Sequence, residues 1–211
     1  MSAPTASTPP TGVPPTATAR APDGSVRTDY FERLYQAAPD PWGFATSPYE
    51  AAKYAATIGA LPRARYRAGF EVGCAIGVLT AALAERCDRL LAVDVASEAL
   101  AAARRRTAAH GGVRVARMAV PEAWPDGRFD LVVISEVGYY LADAALARLA
   151  ARTAVSTERG GHLVLVHYTG ETDYPQSADA VHAAFLGDAR AWRRLRSAPG
   201  AAYRLDVLER L

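Results

Sequence analysis

The amino-acid sequence predicts an α/β domain built on a mostly parallel β-sheet, with helices on both faces. Short apolar runs rich in β-branched residues alternate with Ala-, Leu- and Arg-rich stretches of helical period. A glycine-containing turn follows the first of these runs. The last two runs are separated only by a short turn, so those two strands must be antiparallel. The 211 residues suffice for one domain with a sizeable core and are too few for two ordinary domains.

The N-terminal part of the chain divides into a tail and a helical segment. Residues 1–25 are mostly Pro, Thr, Ala and Ser, cannot bury enough apolar surface to offset their ordering entropy, and are predicted to be a disordered tail. Residues 26–66 are predicted to form a helical lid. Its second helix begins with Ser47 as the N-cap and Pro48 at the first helical position. The main domain is predicted to comprise residues 67–211.

The main domain shows seven candidate strands and three clear helices. The strands are predicted at 69–72, 90–93, 113–116, 129–134, 162–166, 192–196 and 203–208. The helices are predicted at 78–87, 97–109 and 142–155. Residues 197–200 read Ser-Ala-Pro-Gly, a turn signal that joins the last two strands into a hairpin.

Composition narrows the class of protein. A net charge of +2 is too small to indicate a nucleic-acid or acidic membrane partner. The chain has no run of 18 apolar residues and no secretory signal pattern, so we expect a cytoplasmic protein with no membrane partner, either a monomer or a homodimer. Cys74 and Cys87, in segments that read as helix or loop, suggest neither a disulfide framework nor a metal site.

The strongest local signal is the turn after the first strand. It contains Glu71, Gly73, Ala75 and Gly77 and leads directly into a helix. A nicotinamide-type fingerprint, G-x-G-x-x-G, fails at Ala75 and Val78. An acid two residues before the first Gly instead fits the methyltransferase form E/D-x-G-x-G-x-G, with Ala in the middle position. The backbone N–H groups at such a helix start favour an anionic or polar ligand.

A second acid supports a nucleoside ligand. Asp94 ends the next strand, 21 residues after Gly73, where a carboxylate can accept hydrogen bonds from both ribose hydroxyls. The alternative is a tight strand–helix turn followed by a surface aspartate. Glu71 and Asp94 lying together in register favour the binding site.

Several segments together resemble the NodS family of class I methyltransferases. They are EVGCAIGVLT at 71–80, DPWG at 40–43, SxYExxKY at 47–54, SEVxYYL at 135–141 and GGHLVLVH at 160–167. The glycine motif is shared by many class I enzymes, whereas the DPWG, YExxKY and SEVxYYL segments are more specific. The resemblance covers roughly residues 28–210.

The resemblance implies a Rossmann-like, seven-stranded sheet that ends in an antiparallel hairpin, which agrees with the hairpin read from the residues. It implies S-adenosylmethionine as cofactor and N-methylation of an amino group on a sugar as the best-known activity. Two positions depart from the pattern: residues 117–120 offer no Asp for the adenine amino group, and Tyr168 stands where the family leads us to expect Trp.

We expect the cofactor-binding residues at the carboxyl ends of the strands and on the lid. They are Trp42, Lys53, Glu71, Gly73, Cys74, Ala75, Gly77, Asp94, Val95, Met118, Ala119, Ser135, Glu136 and Tyr140. Lys53 could meet the methionine carboxylate or be a solvated helix-face lysine. Tyr139 and Tyr140 could face the sulfonium or pack in the core.

The catalytic candidates are Glu136, His167 and His182. An amine nucleophile must be neutral to attack, and a carboxylate or imidazole can accept its proton. Glu136 is the first candidate for that base or for an anchor of the substrate amine; the alternative is a capping or buried, paired carboxylate. Either histidine could instead be a satisfied structural residue.

The expected partner is a small-molecule acceptor, with an amine or amino sugar favoured. Glycine motifs do not distinguish nucleophiles, so an O- or C-methyltransferase of a secondary metabolite stays open. A protein that binds S-adenosylmethionine without turnover also stays open. A dehydrogenase is disfavoured because the nicotinamide fingerprint fails and the terminal hairpin fits it poorly.

Overall fold

The computed structural model describes residues 19–200 and 202–211. The helices are α1 (Thr28–Ala37), α2 (Pro48–Gly59), α3 (Val78–Ala84), α4 (Ser97–Arg106), α5 (Asp143–Ser156) and α6 (Ala178–Leu186). The strands are β1 (Tyr66–Val72), β2 (Cys87–Asp94), β3 (Val113–Arg117), β4 (Phe129–Ser135), β5 (Thr157–Tyr168), β6 (Trp192–Pro199) and β7 (Tyr203–Arg210). The 3₁₀ turn Gly138–Tyr140 follows β4.

The strands form one seven-stranded sheet in the order β3-β2-β1-β4-β5-β7-β6. Strands β1 to β5 are parallel, and β7 pairs antiparallel with both β5 and β6. The predicted fold class and C-terminal hairpin are therefore confirmed. The strand order reverses between β1 and β4, and open α/β sheets bind ligands at such a switch point, outside the carboxyl ends of the strands.

The core lies on both faces of the sheet. All seven residues of β4 are buried, which explains why its sequence is continuously apolar rather than alternating. Val132 and Ile134 pack with helices α5 and α6 on one face, whereas Leu131 and Val133 pack with α3 and the end of α2 on the other. Helices therefore cover both faces, as predicted.

Several element boundaries differ from the prediction. Strand β1 begins at Tyr66, α4 ends at Arg106, and β6 continues to Pro199 through most of the turn predicted at 197–200, because Ser197, Ala198 and Pro199 pair with β7. The helix predicted at 78–87 ends at Ala84, and Cys87 begins β2 as a buried strand residue instead of ending a helix. Strand β5 begins at Thr157, five residues before the predicted start, because Thr157 pairs with Phe129 ahead of a register shift. Its polar first residues resemble a loop in sequence, since only long-range pairing makes them a strand.

The predicted tail boundary at residue 25 is wrong for the part of the tail that the structure describes. Ala19 is buried, and residues 20 and 26 form an antiparallel bridge. The Val26 N–H donates to the Tyr140 carbonyl, and the Ser25 hydroxyl accepts a hydrogen bond from the Ala142 N–H. Residues 1–18 lie outside the described part of the chain.

The N-terminal helices lie beside the carboxyl end of the sheet. The Ser47 hydroxyl accepts a hydrogen bond from the Glu50 N–H, so the predicted N-cap of α2 is confirmed. The Glu32 side chain of α1 accepts a hydrogen bond from the Ser97 N–H at the start of α4. Within the described residues, no helix is both long enough and apolar enough to cross a membrane.

Candidate active site

A cavity of about 650 Å³ opens at the carboxyl ends of β1, β2 and β4. Its walls come from the glycine turn, the end of β2, the segment after β4, the two N-terminal helices and the loop after β5. The volume falls in the range typical of pockets for small molecules and cofactors. The cavity therefore lies where the reversal of strand order predicts a ligand.

The glycine turn approaches this cavity because its backbone conformations suit glycine. Gly73 has a φ of +80°, and a Cβ at that position would lie 2.2 Å from Val137 Cγ2. Gly77 has a φ of +81°, and a Cβ there would lie 2.8 Å from the Cα of Ala103 in α4. Any other residue at these two positions would strain the backbone and clash. Gly73 thus shapes the cavity floor, whereas Gly77 allows α3 and α4 to pack.

Asp94 binds the glycine turn and faces the cavity. One carboxylate oxygen accepts from the Ala75 N–H at 2.9 Å, and the other accepts from the N–H groups of Val95 at 2.7 Å and Ala96 at 3.1 Å. Burial raises the pKa of Asp94, and these three hydrogen bonds oppose the rise. A carboxylate has about four acceptor sites. In this arrangement Asp94 keeps about one for a ligand hydroxyl, fewer than the two ribose contacts expected from the sequence.

Two carboxylates flank the only lysine of the chain in the wall of the same cavity. Lys53 Nζ donates to Glu50 Oε1 at 2.9 Å and to Glu136 Oε1 at 2.6 Å. Lys53 and Glu50 are almost fully buried, and Glu136 is 16% exposed. Burial opposes the charge on Lys53, but Glu136 and Glu50 outweigh it and raise the pKa of the lysine. The three charges sum to −1. We call this group the Glu50–Lys53–Glu136 triad.

The two carboxylates of the triad differ in what they can still accept. Besides Lys53, Glu136 accepts from the Tyr139 hydroxyl at 2.5 Å and from the Tyr168 N–H at 3.0 Å. Glu50 Oε2 is buried and lacks a hydrogen bond of normal geometry among the described residues, with the Tyr54 hydroxyl as its nearby donor. Burial raises the pKa of Glu50, and the charge of Lys53 opposes the rise. Glu50 therefore retains acceptor capacity that Glu136 has largely used.

Aromatic side chains supply much of the remaining wall. Trp42 stacks on Phe44 with ring centroids 5.5 Å apart and meets Tyr35 edge-on at 5.6 Å. Tyr140 packs edge-on against Phe31 and Tyr174. Aromatic faces attract cations, so such a wall suits a sulfonium or an ammonium group.

Ten of the predicted cofactor-binding residues line the cavity. They are Trp42, Lys53, Gly73, Ala75, Asp94, Val95, Met118, Ser135, Glu136 and Tyr140. Lys53, however, is paired with two carboxylates and is not the solvated helix-face lysine considered from the sequence.

Four predicted cofactor-binding residues do not line the cavity. Glu71 is 1% exposed behind the turn, and burial together with the charge of Asp94 raises its pKa to about 7. Cys74 is buried against α4, and Gly77 packs against α4 as described above. Ala119 lies between the lining residues Met118 and Val120 without lining the cavity itself. The sequence motif spans the whole turn, but the turn exposes only its alternate residues to the cavity.

The two histidines predicted as catalytic candidates are fully buried and do not line the cavity either. His167 and His182 are each 0% exposed and are hydrogen-bonded to one another behind the wall formed by the 3₁₀ turn. Neither can reach a substrate in this geometry, so the catalytic assignment is wrong for both. His167 ends a strand with its side chain on the face covered by α6, which strand position alone does not reveal.

Sequence reasoning missed a further group of lining residues. Among them are Phe31, Tyr35, Phe44, Tyr49, Glu50, Val120, Tyr168 and Tyr174. Glu50 and Tyr49 stand in the YExxKY segment, which was recognised as a motif without roles for these two positions. The others come from separate segments of the chain, and no local pattern marks them as neighbours.

The family model of Nodulation protein S (NodS) matches residues 26–167, which include the glycine turn, Asp94 and the triad. The chain belongs to the NodS family. It is 35% identical over 146 residues to Nodulation protein S of Rhizobium tropici, a match that covers 67% of this chain and 61% of that protein. The match thus spans about three fifths of the relative's length.

Solved structures agree with this fold. A putative methyltransferase from Pseudomonas syringae is 42% identical, with a TM-score of 0.67 over 77% of this chain and 99% of that one. The N-methyltransferase NodS from Bradyrhizobium japonicum WM9, solved in complex with S-adenosylhomocysteine, has a TM-score of 0.77. It is 24% identical, over 87% of this chain and 97% of its own, and supports the fold alone.

Proposed function

We propose that this NodS-family protein transfers a methyl group from S-adenosylmethionine to an amino group of a small molecule, with an amino sugar as the favoured acceptor class. The observation that carries the proposal is one cavity lined by the glycine turn, by Asp94 and by the acidic triad. Family membership supports the same reaction class.

The residues around the glycine turn fit a nucleoside cofactor. Gly73 keeps the floor open where a Cβ would meet Val137, and Asp94 keeps an acceptor site for a ribose hydroxyl. Met118 and Val120 line the side at which an adenine ring would lie, without a carboxylate. Bound there, S-adenosylmethionine supplies an electrophilic methyl group on a sulfonium centre, and the protein has mainly to align it with the nucleophile.

The triad fits a cationic amine. Its net charge of −1 attracts an ammonium group, and Glu50 Oε2 can accept a hydrogen bond from it. Because burial raises the pKa of Glu50, its carboxylate is a better proton acceptor than an ordinary glutamate. Glu136, largely engaged by Lys53, Tyr139 and Tyr168, keeps about one acceptor site and is better suited to anchor the amine than to take its proton. We therefore extend the predicted role of Glu136 to the pair Glu50 and Glu136.

Cofactor binding is tested by calorimetry with S-adenosylhomocysteine and with NAD. We expect binding of the first and not of the second. Asp94→Asn should weaken it by about 1.5–3 kcal/mol, the scale of a hydrogen bond to a charged group. Asp88→Asn, at an exposed aspartate outside the cavity, is the matched control and should bind normally. Binding of NAD alone would overturn the cofactor assignment.

The acceptor is tested with a panel of amino sugars, small amines and the corresponding hydroxyl compounds. Mass spectrometry should detect the gain of one methylene on an amine and none on its hydroxyl analogue. Methylation of hydroxyl compounds alone would favour an O-methyltransferase instead. S-adenosylhomocysteine binding without any methylated product would favour a binding protein without turnover.

The separate roles of the two glutamates are tested by Glu50→Gln and Glu136→Gln, which keep size and hydrogen bonding. General-base assistance is worth roughly 100- to 10,000-fold, so loss of the proton acceptor should lower the single-turnover rate on that scale and raising the pH should partly restore it. Loss of an anchor should raise the Michaelis constant with little rescue by pH. We expect the first behaviour for Glu50 and the second for Glu136. A rate within threefold of wild type for both variants at every pH would remove them from the mechanism.

A further inference from the structure

A buried chain of hydrogen bonds runs from the wall of the cavity to the C-terminal hairpin. The Gly138 N–H donates to His167 Nε2 at 3.1 Å. His167 Nδ1 lies 3.1 Å from His182 Nε2, and His182 Nδ1 lies 2.6 Å from Asp206 Oδ2. The side chains of His167, His182 and Asp206 are 0% exposed. The proposed reaction does not use these buried hydrogen bonds directly.

The first bond sets the direction of all the others. A backbone N–H can only donate, so His167 Nε2 must be unprotonated and its hydrogen must be on Nδ1. His182 must then accept at Nε2 and place its own hydrogen on Nδ1, facing the Asp206 carboxylate. Both imidazoles are therefore neutral, each in the Nδ1–H form. Burial lowers the pKa of His167 well below its ordinary value, and the charge of Lys53 lowers it further.

The far end of the chain is anchored by a charge. Burial by itself would raise the pKa of Asp206, but the hydrogen bond from His182 and the charge of Arg204 lower it to about 2. Arg204 Nε donates to Asp206 Oδ2 at 2.8 Å, and its guanidinium also contacts Asp179 near the surface. A permanently ionised Asp206 keeps His182 in the form that can accept from His167.

The near end of the chain holds the turn that carries site residues. Gly138 begins the 3₁₀ turn, whose next residue, Tyr139, donates its hydroxyl to Glu136. Glu136 has a φ of +58°, a left-handed conformation that a glutamate rarely adopts unless its surroundings enforce it. The turn also lies tightly against α6, since a Cβ at Gly138 would come within 2.4 Å of Val181.

We propose that His182 and Asp206 are positioning residues, which fix the tautomer of His167 so that it holds the turn presenting Tyr139 and Glu136 to the acceptor. This inference rests on the proposed function in one respect: that the turn presents Tyr139 and Glu136 to an acceptor that is methylated. The hydrogen-bond direction itself does not depend on the reaction.

The direction of the hydrogen bonds is tested first in the wild-type protein. The protein has four histidines, so long-range ¹⁵N–¹H correlation spectra at neutral pH can be assigned residue by residue. We expect the Nδ1–H tautomer for both His167 and His182. A hydrogen on Nε2 of His167, or a doubly protonated ring at either position, would overturn the proposal without any measurement of activity.

The positioning role is tested by two variants, each of which replaces one of the two ring nitrogens of His182 by an amide group. The Gln side chain can place an oxygen near the position of Nε2, and the shorter Asn side chain can place its amide near Nδ1. His182→Gln should therefore keep the acceptor for His167, whereas His182→Asn should lose it while keeping a partner for Asp206. We expect His182→Asn to mix the His167 tautomers and to lower kcat about 10- to 100-fold, the scale of a misplacement of about 1 Å. His182→Gln should keep the tautomer and stay within about threefold.

The matched control is His162→Leu, which removes another buried histidine that pairs with the Tyr66 hydroxyl. His162 lies five residues before His167 on β5, about 17 Å away along the strand. It should lower the melting temperature without changing the His167 tautomer or kcat. Turnover is followed with the panel amine that the wild-type enzyme methylates fastest, and binding with S-adenosylhomocysteine.

The outcomes separate this inference from the proposed function. Equal losses of kcat in His182→Gln and His182→Asn, or a loss of the same size in His162→Leu, would contradict the positioning role and leave the buried hydrogen bonds with a structural role only. A wild-type protein that neither binds S-adenosylhomocysteine nor methylates any amine would overturn the function. In that case, or if neither His182 variant folds, the wild-type tautomers still decide the hydrogen-bond direction.

Discussion

Replacing the only lysine of the chain by an apolar residue of similar length should lower the unfolding free energy, because two buried carboxylates lose the cation between them. In Lys53→Met, Glu50 and Glu136 face one another without the cation that joins them. Removing one partner of a buried ion pair costs about 3–5 kcal/mol, because the charge left behind stays desolvated. For a domain of this size each kcal/mol lowers the melting temperature by about 2–4 °C, so we expect a drop of roughly 6–20 °C.

The loss should depend on pH in a defined direction. Burial already raises the pKa of Glu50, and without Lys53 it should rise further. The penalty is then fully present above that raised pKa and fades as the pH falls toward the ordinary glutamate value of about 4.3, where the unfolded chain also binds a proton. The difference in unfolding free energy between wild type and Lys53→Met should therefore shrink as the pH falls through the raised pKa of Glu50 toward about 4.3.

Thermal and urea unfolding at several pH values measure this difference. Adding Glu50→Gln to Lys53→Met removes the more buried charge and should restore at least about half of the lost free energy, a coupling that a double-mutant cycle reports. Arg65→Met removes the cation of an exposed pair with Asp88 and should cost at most about 1 kcal/mol. If Lys53→Met melts within about 2 °C of wild type and its unfolding free energy differs from wild type by the same amount at every pH, Lys53 does not stabilise two buried, ionised glutamates.

Three further results are expected. Gly77→Ala should cost about 1–3 kcal/mol in unfolding free energy, since it strains a φ of +81° and meets α4, whereas Gly59→Ala in open helical space should be neutral or stabilising; equal losses would contradict the geometry. Deletion of residues 1–26 should lower the melting temperature relative to deletion of 1–18, because it removes the docked segment; identical melting curves would show that its contacts contribute nothing. The pKa of Asp206 is about 2, below its ordinary value, so its stabilisation is present above about pH 4 and lost toward pH 2; acid unfolding of Asp206→Asn should lack that step.

The fold and the cofactor part of the site could be predicted because their signals are local. The turn from β1 to α3 needs glycine at positive φ within five residues, and an acid at the end of the next strand stands beside it through strand pairing alone. The N-cap at Ser47 likewise depends on neighbours in sequence. Alternating apolar runs and helical periods then leave a mostly parallel sheet as the simplest arrangement.

Which residues of those motifs face the ligand was decided by packing. Glu71, Cys74 and Gly77 belong to the same motif as Gly73, yet the turn points them into the interior or against α4. His167 was placed correctly at a strand end, but α6 covers the face on which its side chain lies. A motif constrains the backbone, and the side-chain direction depends on elements packed against it later in the chain.

By itself, the sequence determined the sheet, its terminal hairpin, the glycine turn and the acid that follows it, since each depends on periodicity or on residues a few positions apart. Only the tertiary structure decided that Lys53 lies between Glu50 and Glu136, which is 83 residues away, and that His182 meets Asp206 across 24 residues. The sequence around a charged residue or a hydrogen-bond donor does not indicate which distant residue will be its partner. Their pairing follows from how α2, the turn after β4 and the C-terminal hairpin pack together, and no local pattern records that packing.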